Sequence, residues 1–293
     1  MVKNASATEN GGRAADTPPL LSVREVTRVF GGLAALSDVS FSVATGEIVS
    51  LIGPNGAGKT TFFNCVTGVA APTRGTVFFR GEEITALPPH EITRRGIART
   101  FQNIRLFGPL SVMENVMIGR YIQSALPTIG TTLGALFRSR GFLQKERQLK
   151  ARAAELLDFV GLADRADVAA RCLAYGEQRR LEIARALGAD PVLLLLDEPA
   201  AGMNPTETQS LMALVGRIRA QGITPFLIEH NMKMVMGISD RVVVFDHGVK
   251  IAEGSPETVR NDPQVIEAYL GSGATAAVAP ASAAPAPAAR ASA

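Results

Sequence analysis

The chain has 293 residues, room for one large domain or two small ones with a sizeable core. A net charge of +3 is too small to argue for a nucleic-acid partner, and the two cysteines, Cys65 and Cys172, offer neither a disulfide framework nor a cysteine metal site, so a reducing compartment is expected. No apolar run approaches the length of a membrane span, and residues 1–19 are polar and lack a signal region, so the chain is not expected to enter a membrane by itself.

Both ends are expected to be disordered. Residues 1–19 carry Asn, Ser, Thr and Gly, and residues 271–293 are almost entirely Ala, Pro, Ser and Gly. Neither stretch buries enough apolar surface to offset the entropy of ordering. The folded part should therefore span residues 20–270. Within it, residues 23–29 and 37–43 alternate apolar and polar side chains and predict half-buried strands. Residues 47–52 predict a buried strand that enters Gly53-Pro54-Asn55-Gly56-Ala57-Gly58-Lys59-Thr60. This loop fits the pattern G-x-x-x-x-G-K-[ST], and residues 60–67 predict the helix that leaves it. The glycines let backbone N–H groups turn toward a polyphosphate, and the helix start adds a favourable dipole. Lys59 is placed to reach the β/γ-phosphates and Thr60 to ligate Mg²⁺. With strand, loop and helix in register, the segment from Gly53 through Thr61 predicts a site for a nucleoside triphosphate with Mg²⁺.

Residues 76–79 and the turn Arg80-Gly81-Glu82 predict a further strand. The middle of the chain changes character. Residues 111–121 and 145–160 are helical in pattern, and residues 122–143, interrupted by Pro127, Gly130, Gly134 and Gly141, read as an irregular insertion in a helical subdomain. Strand and helix then alternate over residues 192–196, 206–220, 223–228 and 241–245, which implies a parallel sheet with crossover helices. Asp246-His247-Gly248 predicts a hairpin turn into residues 249–252.

The segment Val192-Leu193-Leu194-Leu195-Leu196-Asp197-Glu198-Pro199 is a buried strand ending in two acids. With its strand expected to lie beside the phosphate loop, Asp197 would hold Mg²⁺ through water and Glu198 would polarise the attacking water. Alone, such an acidic pair is more often a solvated turn. Leu173-Ala174-Tyr175-Gly176-Glu177-Gln178 precedes a helix predicted over residues 178–187.

Taken together these segments resemble the ATP-binding subunits of ABC transporters. That family's signature reads L-S-G-G-Q; this chain keeps Leu173 and Gly176 and places Ala174, Tyr175 and Glu177 at the other positions. The resemblance implies that this segment binds the γ-phosphate held by a facing chain, through backbone N–H groups now that Ala174 lacks the serine hydroxyl. It implies that Phe30 stacks on adenine, that Gln102 of Thr100-Phe101-Gln102 contacts Mg²⁺ and the attacking water, and that His230, after residues 226–228, contacts the γ-phosphate. The catalytic set is then Glu198, His230 and Gln102, and the metal set Thr60, Gln102 and Asp197. His90 and His247 match nothing in the pattern. Asn204 stands where the family has an aspartate, and with Pro205 and Glu207 it also reads as the cap of the next helix.

The implied fold is α/β: a P-loop NTPase core of RecA-like type with an antiparallel β subdomain and a helical subdomain over about residues 103–185. The implied enzyme is an ATPase working as a dimer, with ATP and Mg²⁺ as cofactors. Implied partners are two transmembrane permease subunits, a second ABC ATPase chain, identical or paralogous, and indirectly an extracytoplasmic solute-binding protein. Its place would be the cytoplasmic face of the plasma membrane, as a peripheral subunit. Arg179-Arg180-Leu181-Glu182-Ile183-Ala184-Arg185, Ile228-Glu229-His230-Asn231-Met232 and Glu267-Ala268-Tyr269-Leu270-Gly271 narrow the likeness to the larger ATPase of the branched-chain amino-acid uptake system. Two alternatives are a lipid or lipopolysaccharide export ATPase and, more remotely, a soluble P-loop phosphotransferase. The segment 104–110, which follows Gln102, is the expected membrane-subunit contact, with Phe107 either its apolar tip or a core residue.

Overall fold

Two kinds of strand pattern separate two sheets. The computed structural model describes residues 18–121 and 140–270. The expectations for both chain ends and for most of the insertion at 122–143 lie outside these residues. In chain order the elements are β1 (Leu21–Phe30), β2 (Leu33–Val43), β3 (Val49–Ile52), α1 (Lys59–Val66), β4 (Arg74–Phe79), β5 (Glu82–Glu83), α2 (Pro89–Arg94), β6 (Ile97–Arg99), α3 (Val112–Tyr121) and α4 (Arg140–Phe159). They continue with α5 (Tyr175–Leu187), β7 (Leu193–Asp197), α6 (Pro205–Ala220), β8 (Thr224–Ile228), α7 (Met232–Ile238), β9 (Arg241–Asp246), β10 (Val249–Gly254), α8 (Pro256–Arg260) and α9 (Pro263–Leu270).

The alternating strands β1 and β2 join β4 and β5 in an antiparallel sheet of order β2-β1-β4-β5, with Val23 opposite Phe41 on one side and opposite Val77 on the other. The fully buried strands β3, β7 and β8 lie inside a second sheet of order β10-β9-β3-β8-β7-β6, parallel from β9 to β6, with β10 closing it antiparallel. Strand β7 shows why a continuous run suits this place. Leu193 and Leu195 join the core shared with the antiparallel sheet, and Leu194 and Leu196 join the core under the helices. The first core is built around Phe41, Phe62, Phe63, Phe226 and Phe245, whose rings meet at 5.1 to 6.3 Å. In the second, α4 contributes Ala153, Leu156 and Leu157, followed by Val160, one stripe at helical spacing.

Three sequence expectations need correction. The strand bearing Asp197 does not adjoin the phosphate-loop strand, because β8 lies between β3 and β7. All five residues of β8 are buried, so it suits a central position with neighbours on both edges. Helix α5 begins at Tyr175 rather than at residue 178. Glu177 explains the early start: its carboxylate accepts the Ala174 N–H at 3.1 Å, so the signature residues form the first turn. Helix α4 begins at Arg140 rather than at residue 145. The hairpin turn does form, with His247 (φ 45°) and Gly248 (φ 80°) as its two central residues between β9 and β10. The Asn204 cap forms as well. Its Oδ1 accepts Glu207 N and its N–H donates to Glu207 Oε2, each at 2.9 Å.

Candidate nucleotide site

The site lies at the C-terminal ends of the parallel strands. Strand β3 ends at Ile52, and Gly53 to Gly58 turn the chain into α1. Gly53 has φ 147° and a Cβ there would overlap the Phe245 carbonyl oxygen, so the loop can lie this close to β9 only with glycine. Gly58 caps α1 with φ 94°. Pro54 is half-buried, Asn55 and Gly56 are exposed, and Ala57 is buried, held by Ala57 N to Pro54 O at 3.2 Å and Gly248 N to Ala57 O at 3.2 Å. Lys59 folds back over the loop and donates from Nζ to Gly53 O at 2.7 Å and Pro54 O at 2.9 Å. Burial pushes the Lys59 ammonium below the ordinary lysine range, while the charges of Glu198 and Asp197 oppose that shift. Thr60 is exposed in the first helical turn and Thr61 half-buried behind it.

Across β8, the two acids take different surroundings. Asp197 is buried, with Oδ2 paired to Arg99 Nη2 at 2.7 Å and its Oδ1 buried without a partner. Glu198 follows with φ 47°, a left-handed conformation uncommon for a side-chain-bearing residue, fixed by Glu198 N to Ile228 O at 2.9 Å. That twist aims its carboxylate at two groups the sequence analysis selected. Gln102 Nε2 donates to Glu198 Oε2 at 2.9 Å, and His230 Nε2 lies 3.0 Å from Glu198 Oε1. Residues far apart in the chain thus meet on one carboxylate.

Phe30 is 47% exposed at the end of β1, one face of its ring covered by the Arg28 guanidinium at 4.4 Å. The signature residues stand elsewhere. Ala174, Tyr175, Gly176 and Glu177 open α5, and their neighbours are Gly202, beside the Tyr175 ring, and Glu207, whose carboxylate faces Gly176. His90 and His247 are exposed, as their lack of any motif suggested.

Two residues belong to the site that the motif reading passed over. Arg99 holds Asp197 and also donates to Asn64 Oδ1 at 2.7 Å and Thr67 Oγ1 at 3.2 Å, joining β6 to α1 and β7. Its place, three residues before Gln102 on a buried strand, was the available signal. Glu229 is 3% exposed and accepts Ala200 N at 2.8 Å and His230 N at 3.1 Å, so one carboxylate fixes the loops after β7 and β8. Burial raises its pKa against those N–H contacts.

The donor set suits Mg²⁺. Asp197 Oδ1 is an unpartnered carboxylate oxygen, Thr60 an exposed hydroxyl, and Gln102 an amide, all hard oxygen ligands. No cluster of three His, Cys, Asp or Glu stands ready for a metal among the described residues. Also among the described residues, no helix is long and apolar enough to cross a membrane.

Known proteins place this arrangement. The ABC transporter family profile matches residues 36–201, and a branched-chain amino acid ATP-binding cassette transporter profile matches residues 249–275. The chain is 48% identical over 255 residues to the high-affinity branched-chain amino acid transport ATP-binding protein BraF of Pseudomonas aeruginosa, covering 86% of this chain and 98% of that one. The Escherichia coli K12 protein LivG, of the same description, matches with the same identity and coverage. The ADP conformation of MJ1267, an ATP-binding cassette of an ABC transporter, superposes with a TM-score of 0.76 at 34% identity, over 87% of this chain and 100% of that one. The chain therefore belongs to the ABC transporter family and is one of its ATP-binding, ATP-hydrolysing subunits.

Proposed function

We propose that this chain powers the uptake of branched-chain amino acids or similar small solutes through partner permease subunits. The observation that carries the ATPase half is the convergence of Gln102 and His230 on the Glu198 carboxylate, across β8 from the phosphate loop. The transport half is supported by 48% identity along 98% of relatives described as branched-chain amino acid transport subunits.

In this reading residues 20–270 form one ATPase domain, with a helical subdomain over about residues 103–185. Phe30 stacks on adenine with its free face. The N–H groups from Gly53 to Thr61 wrap the phosphates, and Lys59 leaves the carbonyls of Gly53 and Pro54 to meet them. Thr60, Gln102 and Asp197 would hold Mg²⁺, which when bound neutralises charge on the phosphates. Glu198 accepts a proton from the attacking water, and His230 steadies both that carboxylate and the γ-phosphate. Ala174, Tyr175, Gly176 and Glu177 act on the nucleotide of a facing chain, identical or paralogous, through the N–H groups at the start of α5. ATP therefore holds two chains together and hydrolysis releases them, a population shift set by differential affinity. Membrane subunits dock at a cleft of about 290 Å³ lined by Val69, Phe101, Phe107 and Ile118, and in this reading the chain is a peripheral subunit on the cytoplasmic membrane face. An extracytoplasmic solute-binding protein completes the importer. The test is reconstitution with co-purified membrane subunits. ATP-dependent uptake of labelled leucine is expected, and transfer of lipid or lipopolysaccharide without amino-acid uptake would replace this reading with the export alternative.

A further inference from the structure

The segment from Phe101 to Arg105 has no ladder partner for its backbone, so its polar groups need partners elsewhere. An ion pair on α5 supplies them. Arg179 and Glu182 are 2% and 1% exposed and contact each other at 3.3 Å. Arg179 donates from Nη1 to Phe101 O at 2.8 Å, and from Nη2 to Gln102 O and, at 3.0 Å, to Tyr175 Oη. Glu182 Oε1 accepts the N–H groups of Phe101 and Arg105, each at 3.3 Å. One turn further, Arg185 donates to Arg105 O. A buried ion pair is a poor way to stabilise a helix face, since apolar residues of similar size often serve as well or better. Here both members spend their hydrogen bonds on a loop 77 or more residues earlier in the chain. The loop residue so held, Gln102, is the one that reaches Glu198. At the other end of the line, Tyr175 is 44% exposed in the first turn of α5.

We propose that Arg179 and Glu182 are positioning residues for Gln102: they tie the backbone of the glutamine loop to the first turns of α5, so that loop and signature move as one body. The inference rests on the ATPase reading above. A force on Tyr175 from nucleotide held by a facing chain then reaches Gln102 of this chain through Arg179, without leaving α5. Occupancy of one site thereby sets the geometry of the carboxylate in the other.

The test is a double-mutant cycle on the full chain. Arg179→Lys keeps the charge beside Glu182 but lacks the forked donor geometry, and Tyr175→Phe removes a single, partly buried hydrogen bond. Arg179→Lys is expected to lower kcat by about tenfold while leaving the nucleotide Kd unchanged, because misplacing a catalytic contact costs rate more than binding. In a Gln102→Ala background the same substitution should lower kcat no further. Tyr175→Phe should lower kcat by less, and again no further in the Gln102→Ala background. Amide hydrogen exchange at Phe101 and Arg105 should quicken in Arg179→Lys with the strands unchanged. Rate losses that multiply in the double variant, or unchanged exchange at both amides, would overturn the proposal. A wild-type chain without ATP turnover would instead defeat the ATPase reading, and exchange at the two amides would then decide the tie by itself.

Discussion

The phosphate loop and the glutamine loop both follow strands of one parallel sheet, yet they are held in opposite ways. The phosphate loop is held mostly within itself: Gly53 where no Cβ fits, Gly58 as a left-handed cap, and the Lys59 side chain bonded to carbonyls five and six residues earlier, with Gly248 N reaching Ala57 O from the turn after β9. The glutamine loop is held by side chains from far along the chain, through Arg179, Glu182 and Arg185. A loop stabilised locally announces itself as a motif, because residue type and spacing suffice to build it. A loop stabilised from a distance looks ordinary until its partners are in place. The difference also suits their tasks, since the first must keep one shape around phosphates and the second can follow the helix that holds it.

Glu198, where Gln102 of the glutamine loop meets His230, stands across β8 from the phosphate loop, and the largest expected effect falls there. Glu198→Gln should lower hydrolysis by roughly 10²–10⁴ while ATP still binds, as expected for loss of a positioned base. Steady-state ATPase rates and gel filtration with Mg-ATP check this, and closed dimers should accumulate. Near-normal turnover would move the base elsewhere and remove the reason for Gln102 and His230 to converge on this carboxylate.

The side-chain-held region should be the more sensitive to loss of one charge. Arg99→Met leaves Asp197 buried and unpaired, and should cost about 3–5 kcal/mol by chemical denaturation. A loss under about 1 kcal/mol would show that Asp197 is solvated or protonated once Arg99 is gone. The locally held region is probed by Gly53→Ala. A Cβ overlapping the Phe245 carbonyl, at φ 147°, should cost at least about 1–3 kcal/mol and weaken nucleotide binding. Calorimetric titration with ADP would reveal a loop more pliant than described if affinity held.

At Phe107 the structure separates the two earlier readings. The ring is 49% exposed, so truncation should remove little packing. Phe107→Ala should change stability by only about 0.5 kcal/mol and leave basal ATPase intact, while uptake in reconstituted vesicles falls. A stable variant that transports normally would move the docking surface away from the glutamine loop.

The smallest effect tests neither loop and so serves as a reference. Burial alone would raise the Glu47 carboxyl, but the Arg241 guanidinium and the Ala44 N–H outweigh it and hold the group below the ordinary carboxylate range. A carboxyl lowered on folding stabilises at pH above its unfolded value and loses that contribution as pH falls through the folded one. Glu47→Gln should therefore lower Tm modestly at neutral pH, with the gap from wild type closing in acid. A gap independent of pH would assign the effect to lost hydrogen bonds rather than charge.

Much of this molecule is determined by local sequence. The G-x-x-x-x-G-K-[ST] loop, the alternating and continuous strand patterns, the Asn204 cap and the His247-Gly248 turn all depend on neighbours within a few residues, so pattern alone locates them. Pattern also selects Gln102, Glu198 and His230, because the motifs occur in family order. Tertiary structure alone decided the rest. The place of β8 between β3 and β7 follows from burial on both sides of a strand, which one apolar run shares with its neighbours. The start of α5 at Tyr175 depends on a carboxylate folding back to Ala174. Arg99, Glu229, Arg179 and Glu182 act on groups brought to them by the fold, and a buried charge carries no mark in the sequence of what it will meet.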